Sequence, residues 1–269
     1  MEPDVAQSKS QSGPQSQRAA TVAAGGPTPP AGATHPEVAL RRDWLALRAG
    51  AVAGLVGLVL RIATDQLHPA TAPPTDSAAA FREYARSDIW TYVHVGQYVC
   101  ALLIVMSLLA LARRLSRQDS LAGVLALVGG VMAVMVAVVF TVQMAVDGVA
   151  LRSAVHAWVT AAPGSATVSA FGVAEAVRSL EKGLSGFFLL NDGFTLLALG
   201  LAIALGRRYA RWLGWAGAVA GIAFLVGGVV TASTGFSPES GVFLGPGSIL
   251  LAVFVVGVCV SMWRDDALP

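Results

Sequence analysis

The sequence predicts an all-α, polytopic transmembrane bundle of six helices with both termini on the cytoplasmic side. Three observations carry that prediction. First, 55% of the 269 residues are hydrophobic and only 13% are charged, and the mean hydropathy is +0.66. Water-soluble domains alternate apolar and polar residues; long Ala, Val, Leu and Gly blocks call for a bilayer as solvent. Second, six such blocks come close to the ~20 residues a helix needs to cross the hydrocarbon. Third, the arginines gather at alternate ends of those blocks, which is the positive-inside pattern.

In chain order, residues 1–38 are rich in Ser, Gln, Pro, Gly and Ala. Such a segment buries too little apolar surface to offset its ordering entropy, so a disordered cytoplasmic tail is expected there. No apolar core follows a basic start, so it does not read as a signal peptide. The Arg41-Arg42-Asp43-Trp44-Leu45 run loosely resembles a twin-arginine export signal, but reads better as a basic anchor for the first span. The membrane domain is then 39–269, with spans at 44–63, 90–112, 121–145, 184–205, 212–233 and 243–263. Pro246 falls near the start of the last, where a helix tolerates it.

Arg113, Arg114 and Arg117 share one short turn, and Arg207, Arg208 and Arg211 another. Arg41, Arg42 and Arg48 flank the start of the first span and Arg264 follows the last. Six spans put all of these on one side, the cytoplasm. Trp44, Trp90, Trp212, Trp215 and Trp263 fall at span ends, where amphipathic rings anchor in the interface. The opposite loops are 64–89, 146–183 and 234–242. Residues 168–180 of the middle loop have helical propensity and extend the fourth helix outward, after a break at Ala161-Ala162-Pro163-Gly164. His156 and Trp158 mark an interfacial helix end.

Residues 49–54 (AGAVAG) match 216–221, and the turn at 112–117 parallels that at 206–211. Either a parallel duplication or convergence within a four-letter apolar alphabet gives this echo. Gly50-x-x-x-Gly54 and Gly217-x-x-x-Gly221 are small-residue motifs that let backbones approach closely, within the bundle or in a homo-oligomer. Cys100 and Cys259 lie in apolar runs and read as small hydrophobes. Apart from the lipid bilayer no partner is indicated. The net charge of +2 gives no reason to expect nucleic acid.

The polar residues inside the spans or at their outer ends are Arg61, Asp65, His68, His94, Gln97, Gln143, Asp147, Asn191 and Asp192. By the predicted topology all lie in the outer half of the bilayer, where each needs a partner or a purpose. His94/Gln97, Gln143/Asp147 and Arg61/Asp65 stand three or four apart and share a helix face. Glu181, Ser185, Phe188 and Asp192 draw a stripe down the fourth span. These groups can meet in one outward-facing cluster. An Arg61–Asp192 pair with interhelical amide bonds would make it bundle glue. Otherwise it serves small-solute or proton-coupled transport, a metal-dependent hydrolase, or a sensor or accessory subunit. No cofactor or metal is expected, because H-E-x-x-H spacing is absent; His94, Asp147 and Asp192, with His68 beside them, are the ligands a metal would draw on. There is no nucleotide loop, serine elbow or CxxC, so no reaction is assigned.

The stretch 207–237, RRYARWLGWAGAVAGIAFLVGGVVTASTGFS, resembles the fourth-to-fifth hairpin of a broad set of uncharacterised six-helix bacterial membrane proteins. Leu67-His68-Pro69 and the Trp90…His94 start of the second span are similar to the same group. The resemblance covers about residues 44–263 and implies six helices in a bacterial inner membrane. Arginine far outnumbering lysine, with abundant alanine, fits a GC-rich bacterial gene. The group has no activity to carry over.

Overall fold

The computed structural model describes residues 35–69, 71–73 and 75–265, which are helical apart from short connections. The elements are α1 (His35–Leu67), α2 (Ser77–Arg86), α3 (Trp90–Leu115), α4 (Leu121–Ala145), a π-helical turn (Val146–Leu151), α5 (Arg152–Val159), α6 (Ser165–Leu205), α7 (Arg211–Thr234) and α8 (Pro238–Arg264). Six stretches are long and apolar enough to cross a membrane: Arg41–Leu67, Trp90–Leu115, Leu121–Val159, Ser165–Leu205, Arg211–Thr234 and Pro238–Arg264. This is the all-α six-helix bundle that the periodicity and composition predict, and it fits a multi-pass membrane protein. The predicted disordered tail lies outside the described residues up to residue 34; its last four positions are helical backbone of α1.

The helices outrun the predicted spans, chiefly at the end away from the arginine turns. The third does not stop at residue 145 but runs on through the π turn and α5. The fourth starts at Ser165, and its 41 residues make a rod of roughly 60 Å, about twice the hydrocarbon thickness. Its first half is more helix than one crossing needs, and residues 168–180 are helical as their propensity predicts. The last helix begins at Pro238, a proline in the first turn, so Pro246 lies inside it rather than near its start. The cost is one missing hydrogen bond to the Val242 carbonyl. The 64–89 connection is not plain loop either: it holds α2, whose N-cap Asp76 accepts a bond from the Ala79 amide at 2.9 Å.

Close backbone approach holds the bundle together. In lipid no hydrophobic force drives helices together, so dispersion between touching backbones must. A Cβ on Gly200 of α6 would sit 2.4 Å from the Ala218 nitrogen, and one on Gly214 of α7 2.4 Å from that of Ala204. Both small-residue motifs are used in this way inside the chain. Gly50 and Gly54 admit Ala110 and Ser107 of α3, while Gly217 and Gly221 admit Phe254 of α8 and Leu197 of α6. Leu111, Leu199, Ile203, Leu213, Phe254 and Met262 are buried between these seams. Outward faces are equally apolar, with Val59, Val131 and Ile249 exposed, the surface that lipid covers.

The two ends differ. At the arginine end, Asp43 at the start of the first span accepts from Arg113 (3.2 Å) and Arg117. Asp265 after the last accepts from Arg114 (3.1 and 3.2 Å), Arg208 and the Tyr209 hydroxyl (2.8 Å). Burial, together with the bond to Asp265, pushes the Tyr209 hydroxyl above its ordinary pKa. The Arg48 guanidinium stacks between Trp44 (5.0 Å) and Trp263 (4.2 Å). At the opposite end α2, α5 and the first turns of α6 build a cap with its own small core of Phe81, Leu151, Val155 and Ala174. The Phe81 ring meets Trp158 at 5.9 Å and Phe171 at 5.7 Å.

Candidate functional site

Beneath the cap, where α1, α3, α4 and α6 diverge, lies a cavity of about 470 Å³. Its size falls in the range of small-ligand sites, roughly 300–1,000 Å³. Ile104, Phe140 and Phe188 are among its apolar walls, the two phenyl rings meeting at 4.6 Å. Its polar groups come from six elements, α1, α2, α3, α4, the π turn and α6.

The π turn sets one wall. Such a turn widens the helix by one residue and takes carbonyls out of the regular ladder, so they need other donors. Trp90 Nε1 donates to the Asp147 carbonyl (3.1 Å) and Thr91 Oγ1 to that of Gly148 (3.4 Å). The first turn of α3 thus holds the π turn and aims the Asp147 side chain into the cavity. Gly148 permits the contact, because a Cβ there would lie 2.6 Å from His94 Cβ. One turn earlier, Gln143 Nε2 donates to Ser185 Oγ of α6 at 2.8 Å. Glu181, Ser185 and Phe188 line the facing wall, the stripe predicted on this helix.

His94 is 2% exposed. Its Nδ1 lies 2.7 Å from the Trp90 carbonyl; a carbonyl only accepts, so Nδ1 carries the proton. Nε2 lies 2.9 Å from Oδ2 of Asp147, yet out of line for a hydrogen bond. The His68 ring stands edge-on to His94 at 5.2 Å. One donor atom from each of His68, His94 and Asp147 lies within 4.8 Å of the others. Burial, then the neighbouring His94, hold the His68 imidazole below its ordinary pKa against the pull of Asp147.

The lid, α2, brings Glu83 and Tyr84. Burial works against the Glu83 charge, but bonds from the Thr71 hydroxyl (2.7 Å) and the Thr71 and Ala72 amides (both 2.9 Å) outweigh it. Its carboxyl is held below the ordinary value. The Tyr84 hydroxyl is pushed up to about 12, by burial above all. Arg178 of α6 lays its guanidinium against Phe81 (5.5 Å) and Tyr84 (5.8 Å), joining lid to bundle.

Of the predicted cluster, Arg61, Asp65, His68, Gln97, Gln143 and Asp147 line the cavity, and His94 stands behind Asp147. Arg61 pairs with Asp65 of its own helix at 3.6 Å rather than across the bundle with Asp192. Asn191 and Asp192 are not among the lining residues. Asn191 donates to the Phe187 carbonyl of its own helix at 2.7 Å, and Asp192 is buried a turn below Phe188. At that level α6 is already against α7, for a Cβ on Gly193 would meet the Leu225 nitrogen at 2.8 Å. Glu83, Tyr84 and Arg178 also line the cavity but belong to the cap, outside the predicted spans. Two signals in the sequence mark them: the capping Asp76 before an alanine run, and the three-residue spacing of Phe81/Tyr84 and Arg178/Glu181. No family model, curated protein or solved structure matches this chain.

Proposed function

We propose that the protein is a multi-pass protein of a bacterial cell membrane that recognises a small cationic ligand in a cavity on the outer side. It acts as a sensor or accessory subunit and not by carrying solute across. The observation that carries this reading is the charge around one ligand-sized cavity. Asp65, Glu83, Asp147 and Glu181 face it, against Arg61 and Arg178. An excess of carboxylate beside phenyl and phenol rings attracts a cation, by charge and through the ring faces. The arginine distribution supports placing the cavity outside. A through-path finds no support, since below Phe188 α6 and α7 meet backbone to backbone at Gly193 and Gly200.

The test is thermal stability of the full chain in nanodiscs, titrated with tetraethylammonium and butylammonium ions. A ligand that binds the folded state alone raises Tm with concentration. The expected rise is reduced in Glu181→Gln, which removes one cavity carboxylate, and preserved in Asp192→Asn, outside the cavity. No rise with either ion defeats the proposal. Uptake of the same ions into proteoliposomes replaces it with transport.

A further inference from the structure

Two acceptors face each other across a short gap beside the cavity. The His94 proton is on Nδ1, committed to the Trp90 carbonyl, which leaves Nε2 2.9 Å from the Asp147 carboxylate with its lone pair aimed to one side of that oxygen. The misaligned approach rules out an ordinary hydrogen bond through Nε2. Two buried lone pairs at this distance repel unless a cation lies between them.

We infer that His68, His94 and Asp147 form a centre for one divalent transition-metal ion, of the zinc type, at the head of the cavity. The inference deepens the reading of the cavity as a cation site and rests on it only for the charge. Three features of the geometry support it. Metal–nitrogen and metal–oxygen bonds of about 2.0–2.1 Å at tetrahedral angles place neighbouring donor atoms about 3.3–3.4 Å apart, and the His94–Asp147 edge of 2.9 Å would need only a small outward shift to reach that length. The Nδ1–H bond to a backbone carbonyl is the outer-shell contact that fixes tautomer and ring plane in metal-bound histidines. Two imidazoles with one carboxylate suit zinc-type ions over calcium or magnesium, which take oxygen donors. All three donor atoms lie within 4.8 Å of one another, an arrangement that a turn of the half-buried His68 ring, just past the end of α1, would close. Three protein ligands leave a position open toward the cavity. A divalent ion would also cancel the excess of carboxylates over guanidiniums around the cavity.

The probe is zinc alone, with cobalt as its spectroscopic stand-in, on detergent-purified full chain stripped by chelator. Wild type is expected to retain about one equivalent of zinc after dialysis, and its cobalt form to show visible ligand-field bands. His68→Ala and Asp147→Asn should each weaken retention tenfold or more, a loss at least as large as that of an outer-shell contact. Both leave the buried His94 in place, and an unchanged melting profile of the stripped proteins shows that they fold. Asp192→Asn should bind as wild type does. A zinc-free wild type overturns the inference, as does an Asp192→Asn loss equal to that of Asp147→Asn. Zinc binding without any alkylammonium effect keeps the metal centre and removes the cation-recognition reading. The opposite pair of results removes the centre and keeps the cavity.

Discussion

The arginine end and the cavity end use the same kinds of side chain to opposite effect. At the arginine end two aspartates each take two arginines, and the helices between them touch backbone to backbone. At the cavity end the aspartates and glutamates outnumber the arginines around an open volume, and phenyl rings hold the helices apart. Charge alone does not distinguish a clasp from a pocket. What separates them is the width of the side chains one or two turns away: glycine and alanine close the bundle, Phe140 and Phe188 prop it open.

The largest break in that comparison comes from two glycines of the same helix. A methyl at Gly200 would meet the Ala218 nitrogen at 2.4 Å, whereas at Gly183 it meets nothing within 4 Å. Gly200→Ala should destabilise by about 1–3 kcal/mol through overpacking. Gly183→Ala should be neutral or stabilise by up to about 1 kcal/mol, because it removes backbone freedom from the unfolded chain. Urea or SDS unfolding of the two variants in matched micelles checks this. Equal losses would mean that the tight half and the open half are not packed differently.

A smaller effect separates the two kinds of ion pair. The Asp265 side chain is 5% exposed and serves Arg114, Arg208 and Tyr209, whereas Asp65 is 50% exposed and serves Arg61 alone. Asp265→Asn should cost about 1.5–3 kcal/mol, the worth of hydrogen bonds to a charged group. Asp65→Asn should cost less than about 1 kcal/mol, as exposed pairs do. The same unfolding measurement decides; a larger loss at Asp65 would place the clasp at the wrong end.

Much of this was legible beforehand because lipid leaves few options. Apolar length, arginine position and tryptophan position name six helices without any tertiary information. The glycine motifs also told that backbones would touch, though not which partner each would meet. The pocket was legible only in part. Asp147 and His94 can be listed as costly polar groups, but the π turn that swings Asp147 onto His94 depends on Trp90 and Thr91 taking up its carbonyls, a long-range contact with no local signature. Asp192 belongs to the predicted stripe by spacing, yet at its level α6 is already packed against α7 through Gly193, and the cavity ends above it. Asp43 and Asp265 look like ordinary flanking residues until the arginine turns are brought beside them.

The smallest effect concerns the lid, which sharpens the contrast from the open side. Glu83 fastens residues 71–72 to α2 through three hydrogen bonds to its carboxylate, one of them from the Thr71 hydroxyl. Those bonds favour the ionised form, so its folded pKa lies below the ordinary 4.5. A group depressed in this way contributes its full stabilisation above the unfolded value and loses it as pH falls through the folded one. The lid is therefore fastened at neutral pH and released in acid, below about pH 4.5. Hydrogen exchange at the Thr71 and Ala72 amides should show protection falling a few-fold across that range in wild type, after correction for the intrinsic rate. Glu83→Gln should show the low protection throughout, without a step. The clasps at the other end give the reference, since the Asp265 amide bonds to the Met262 carbonyl and not to a titrating side chain. A pH step at Asp265 equal to that at Ala72 would point to general loosening of the bundle and take the acid response away from Glu83.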